Sequence, residues 1–336
     1  MTATRAARHR MPGRLVAGGV GAVLVASAAL VLALYLSGSQ PQNAGGIGGP
    51  GAFVAWLQPM LRLISTLATV GCAGALLAAV VLLRLEGGPL GVQGRRAVRD
   101  ASNAALIWAV CAFVSSVVTA ALLLNTPVGL LRLRVDDALG VPEVKSLLIT
   151  GILVLALAIG IRRVQTSSAA GLGVLVAIAA LVPTAVTAYP RNESYVVLAG
   201  AALVIHVIAA TTWIGGLAGL VRYGRASRSG LPIVMERYGQ VATLSAIAVV
   251  LSGLLSAAGR LAAKGGGWGS ILDELTHDAY GTLLIVKVIA FALLVALAAL
   301  HDNLLESARP FWRIVATELL IMALTLGLSV ALSQTA

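Results

Sequence analysis

His206 lies near the centre of an apolar run from Tyr195 to Arg222. An ionisable ring at that depth of a membrane segment is costly, and its default reading is functional, with a partner on another helix. Neutral imidazole is a ligand for copper, zinc or haem iron; it is equally a group that a neighbouring serine, threonine or carbonyl can hold by a hydrogen bond. One imidazole makes no complete metal site, so any further ligands must come from other helices. Trp213 follows seven residues later, about two helical turns along the same face. Gly215 and Gly216 come directly after it and would let another helix approach closely.

Other groups could carry chemistry. Lys287 stands about 10 Å inside its apolar run, too deep to reach an interface easily. Glu318 enters the last run from the opposite side. Each should point inward, as half of an ion pair or onto backbone carbonyls, and their depths differ. Ser245, Ser252 and Ser256 share one helix face, suited to interhelical hydrogen bonding or to a polar path beside His206. His277, among Asp273, Glu274 and Asp278, reads as a solvated acidic loop or as a capture site for a cation. His301, beside Asp302 and Asn303, reads as an interfacial residue or an exit ligand. Cys72 and Cys111 sit inside apolar runs without a CxxC pair, as small packing residues or as thiolates for a soft metal. The methionines form no MxxM tract.

The elements that position these residues follow from composition. Hydrophobic residues make up 59% of the chain and charged residues only 11%, with a mean hydropathy of +0.95. A soluble domain is about half apolar and a quarter charged. Apolar runs at 15–36, 63–83, 103–124, 146–161, 170–188, 196–221, 240–259, 281–300 and 314–333 predict an all-α, polytopic transmembrane bundle of about nine spans. Segment 52–62 either extends the second span or lies at the interface. The run at 1–40 also has the basic-then-apolar order of a signal peptide. Its length favours a retained span.

The net charge of +11 does not indicate nucleic acid, because aromatics are 4% and no basic segment interleaves with stacking residues. The arginines instead occupy alternate connections, at Arg5–Arg14, Arg84–Arg99, Arg162–Arg163, Arg222–Arg237 and Arg309–Arg313. The positive-inside rule makes that side cytoplasmic, with the N terminus inside and the C terminus outside. The intervening connections carry Asp136, Asp137, Glu143 and Glu193. No nucleotide-binding loop is present, so hydrolysis-driven pumping within this chain is not expected.

The stretch His206-Val-Ile-Ala-Ala-Thr-Thr-Trp213-Ile-Gly-Gly-Leu resembles the signature of the CopD family of copper-resistance membrane proteins. The segment Arg237 to Gly253 is similar to that family's next span. Tyr280-Gly-Thr-Leu-Leu-Ile-Val-Lys287 is similar to its YGxLLxxK entry, and Glu318 falls where the family has a glutamate. The resemblance covers about 190–336 and divides the chain into an N-terminal transmembrane region, 1–189, and a CopD-like domain, 190–336. The first half is similar to actinobacterial fusions of a CopD region with an oxidase-assembly domain.

The resemblance implies a non-enzymatic protein of the bacterial cytoplasmic membrane that moves copper ions. Carried over by position, its intramembrane ligand would be His206, with Trp213, Gly215 and Gly216 shaping the packing and Lys287 and Glu318 as further family positions. Read from the residues alone, His277 and His301 are candidate ligands at the two faces and Ser252 a supporting residue. Implied partners are the lipid bilayer, an extracytoplasmic copper carrier and a terminal oxidase. The His-x6-Trp pattern with a later lysine also resembles HemJ-type proteins, which oxidise protoporphyrinogen. That resemblance implies haem b on His206. Insertion of copper into a terminal oxidase is a further alternative.

Overall fold

In lipid no water satisfies backbone N–H and C=O groups, so an apolar run must close its hydrogen bonds within itself. Each described apolar run does this as a helix. A computed structural model describes residues 11–39, 41, 49–83, 88–188, 196–224, 231–264, 275, 279–301 and 308–334. Within these, the side chains of 11–17, 196, 231, 260, 262–264, 279–280, 297–301 and 308–314 are outside the description. The helices are α1 (Met11–Leu36), α2 (Ala52–Leu77), α3 (Val92–Leu123), the short α4 (Val135–Gly140), α5 (Pro142–Gly160), α6 (Ser167–Val186), α7 (Val196–Tyr223), α8 (Leu231–Lys264), α9 (Ala279–His301) and α10 (Ala308–Leu332).

Eight of these helices are long and apolar enough to span a membrane among the described residues. The ninth expected span is α9, whose described apolar stretch is the shorter Gly281–Ala296. Large side chains such as Leu24, Ile152, Ile159, Leu172 and Leu244 are more than 60% exposed, as suits surfaces that face acyl chains. Segment 52–62 extends the second span, because α2 begins at Ala52 and passes Pro59 without ending. The fourth span is longer than its apolar core, since Pro142 starts α5 from the first-turn position where a missing N–H costs nothing.

The chain divides into two compact units, one of residues 1–40 with 279–336, the other of 41–278. In the first, α10 packs against α1 at a small-residue seam. A methyl on Gly327 would collide with the Ala26 carbonyl and stand 2.9 Å from Ala29 Cβ. Leu30, Leu34 and Val315 fill the core of this unit.

In the second unit, α2, α3, α5, α6, α7 and α8 pack against one another. Hydroxyls tie neighbouring helices, as expected where apolar contact alone gives no drive to associate. Ser102 donates to the Ala158 carbonyl (2.7 Å) and Thr150 to the Ala180 carbonyl (2.9 Å). The connections 88–91 and 164–167 pair through Leu90 N to Gln165 O and Ser167 N to Gly88 O. Across the unit, Arg134 closes the connection after α3 by contacting Asp137, Thr126 and the Leu124 carbonyl.

Helix α2 does not end at Leu77. It widens into a π-helical turn, Ala78–Leu82, closed by Leu83 N to Ala78 O. Arg237 of α8 donates to the Val81 carbonyl within that turn (3.2 Å).

Candidate functional site

Helices α7 and α8 run antiparallel. Ala199 lies by Gly259, His206 by Val249 and Gly253, and Gly216 by Tyr238. His206 is therefore turned toward α8. Its Nδ1 lies 3.0 Å from the Val249 carbonyl oxygen. A carbonyl only accepts, so Nδ1 carries the proton and donates. In the neutral ring that leaves the lone pair on Nε2. Metal-binding histidines commonly use this arrangement, with one ring N–H on a carbonyl and the other nitrogen oriented as ligand.

Gly253 makes the geometry possible. A Cβ there would stand 2.9 Å from both Cε1 and Nδ1 of the ring. Real Cβ atoms essentially never come that close to another heavy atom, so the imidazole occupies the space a side chain would take.

The expected close approach at the glycines after Trp213 is present, and it is divided between two helices. Gly216 faces Tyr238 of α8, with a Cβ position 3.0 Å from Tyr238 Cε2. The Tyr238 hydroxyl donates to the Trp213 carbonyl (3.4 Å). Gly215 faces α2, where a Cβ would be 2.8 Å from Gly74 N and 2.9 Å from Val70 O. Gly219, four residues on, makes the same approach, 2.6 Å from Gly74 O. This G-x-x-x-G pair brings the α7 and α2 backbones into direct contact.

Ser252 lies next to Gly253 but donates to the Ala248 carbonyl of its own helix. Ser245, Ser252 and Ser256 are all buried. Lys287, half-buried on α9, and Glu318, buried on α10, belong to the other unit. Lys287 forms no hydrogen bond or ion pair among the described residues, so the two do not pair. His301 ends α9, and its side chain is outside the description; His277, with Asp273, Glu274 and Asp278, lies outside the described residues altogether. Cys72 and Cys111 are buried free thiols. Cys111 packs with Leu61 and Val118, and Leu61 precedes Cys72 by roughly 16 Å of helix. Among the described residues no three His, Cys, Asp or Glu side chains gather in a metal-holding group.

Sequence reasoning missed a polar clamp at the arginine-rich end of the second unit. Asp100 of α3 accepts from Arg222 Nε (2.9 Å) and from the Tyr223 hydroxyl (2.7 Å), both at the end of α7. Arg222 also stands over the Tyr223 ring, 5.6 Å from its centroid. Asp100 sits in an arginine-rich stretch, and nothing local distinguishes it from a solvated charge. Asp100→Asn is expected to lower stability by about 1 kcal/mol, because Arg222 is 58% exposed and water screens the pair. Thermal unfolding of Asp100→Asn, Arg222→Ala and the double variant checks this. Additive losses would mean that the two side chains do not act together.

Membrane-length helices packed around an imidazole that a neighbouring helix holds define a multi-pass α-helical membrane protein. Residues 232–332, about three tenths of the chain, match the model of the copper resistance protein D (CopD) family. The matched stretch comprises α8, α9 and α10, and it begins after the helix that carries His206. No curated protein and no solved structure matches the chain.

Proposed function

We propose that this protein moves copper ions across the bacterial cytoplasmic membrane, with His206 as the ligand inside the hydrocarbon layer. The observation that carries the reading is the bond from His206 Nδ1 to the Val249 carbonyl. His206 lies outside the matched CopD region, yet its ring rests on two residues within it, Val249 and Gly253. The functional CopD-like portion then extends back to about residue 190, with 1–189 as its transmembrane partner region.

In this reading the ion enters from the acidic face, near Asp136 and Asp137, and passes His206 near the midplane. It leaves at the face of Arg95, Arg96, Arg99, Arg162 and Arg163. A neutral imidazole suits cuprous or cupric ions. The positive inner face disfavours a lingering cation, which promotes release to an acceptor. Trp213, Gly215 and Gly216 hold α7 in place for this task. His277, His301, Lys287 and Glu318 are proposed as accessory positions for this function, and an extracytoplasmic carrier or a terminal oxidase as the exchange partner.

The test compares cellular copper in cells expressing wild type and His206→Ala at equal membrane abundance. Wild type is expected to change the copper content relative to empty-vector cells, and His206→Ala to abolish that change. Copper analysis and a visible spectrum of purified protein complete it. Equal copper in all three cell lines would overturn the transport reading. A Soret band lost in His206→Ala would replace it with a haem protein, and normal copper with lost oxidase activity would replace it with an assembly factor.

A further inference from the structure

On the face of α7 turned away from His206, a cavity of about 30 Å³ lies between α2, α3, α6 and α7. Its walls are mostly apolar, including Leu76 and Ile178, but Thr69, Trp108, Thr211 and Thr212 also line it. Trp108 and Thr211 are deeply buried, at 3% and 8% exposure.

Helical threonines ordinarily donate to a carbonyl one turn back. Thr69 does so, to the Ser65 carbonyl at 2.8 Å, and retains an acceptor lone pair. The Thr211 and Thr212 hydroxyls and the Trp108 indole N–H form no hydrogen bond with any described residue. Three side chains whose polar groups have no partner among the described residues thus line one small space between apolar helices. Unpaired burial of such groups costs free energy that water on the open side can restore.

We infer that this cavity is a hydration site within the membrane, holding water between the Trp108 N–H and the Thr211 and Thr212 hydroxyls. The chemistry selects a neutral hydrogen-bonding occupant. No charged side chain lines the space to balance an ion, and an apolar occupant would leave all three groups unpaired. The size selects water, since a single molecule needs roughly 10–15 Å³ by this measure and the space admits about two. Helix α7 then presents an imidazole to one neighbour and bound water to the others. This inference does not depend on copper transport.

The test is X-ray hydroxyl-radical footprinting of the full chain in detergent, in which bound water labels the side chains it touches. Trp108 is expected to be oxidised several-fold faster than Met322, a reactive side chain equally remote from bulk solvent at 2% exposure. The isosteric double variant Thr211→Val with Thr212→Val should bring Trp108 down to the rate of Met322. Thermal unfolding gives an independent reading. A hydrated site predicts a lower Tm for the double variant, whereas a dry one predicts a higher Tm because unpaired hydroxyls are removed. Trp108 labelling no faster than Met322 in wild type, or unchanged in the double variant, overturns the inference. If the double variant fails to fold, the half-buried Thr212→Val alone carries the same comparison.

Discussion

Gly253→Ala is expected to abolish the proposed copper handling almost as completely as His206→Ala, although it leaves the imidazole itself in the chain. The added methyl would stand 2.9 Å from Cε1 and Nδ1 of the imidazole, so the ring must swing out and release the Val249 carbonyl. Losing the partner that orients a metal-binding histidine costs about ten- to a hundredfold in affinity or activity. The fold should survive, because alanine favours a helix interior over glycine by about 1 kcal/mol. Gly239→Ala on the same helix is the control, since nothing lies within 4 Å of its Cβ position. Copper content and thermal unfolding of both variants give the answer. Wild-type copper handling by Gly253→Ala would mean that the ring's present position is irrelevant to function.

The largest expected loss of stability follows from Gly74→Ala. A methyl there meets the backbone of Gly215 rather than a side chain that could rotate away. Overpacking of a core typically costs 1–3 kcal/mol. A backbone-to-backbone collision belongs at or above the top of that range, about 3 kcal/mol, since relief requires α2 and α7 to separate. Gly71→Ala, three residues earlier, is the internal contrast. Its Cβ would lie 3.7 Å from Ala104 Cβ, an ordinary contact, so the gain in helix propensity should leave stability unchanged or raised by up to about 1 kcal/mol. Thermal unfolding in detergent should therefore separate two identical substitutions one turn apart. Similar Tm values for both would show that α2 and α7 are not held at this distance.

The spans were legible because hydropathy adds up along a contiguous segment and needs no knowledge of neighbours. Boundaries were less so. The second span gains the whole of Ala52–Arg62, since Gln58, Pro59 and Arg62 interrupt its apolar character without interrupting its helix. The third begins at Val92, because its first turns carry Arg95, Arg96 and Arg99 while Ala97, Val98 and Ala101 pack inward.

His206 announced itself by its depth, but its partner did not. Every residue has a carbonyl, and no composition or spacing marks Val249 as the one that receives the ring. Gly215 and Gly216 were readable as places of close approach. Their division between α2 and α8 was not, because one residue of helix turns the chain by about 100° and the facing helices lie far away in sequence. Trp108, Thr211 and Thr212 read individually as ordinary members of apolar runs. Their shared cavity exists only where four helices meet.

Membrane residence, helical class and the presence of an imidazole at mid-span depth are properties of near neighbours along the chain, and they can be derived without coordinates. The ring's tautomer, the glycine that makes room for it, the Asp100 clamp and the polar cavity behind α7 all depend on residues tens to more than a hundred positions apart. Packing alone brings those residues within a few ångströms, because their positions along the chain say nothing of which helix faces which.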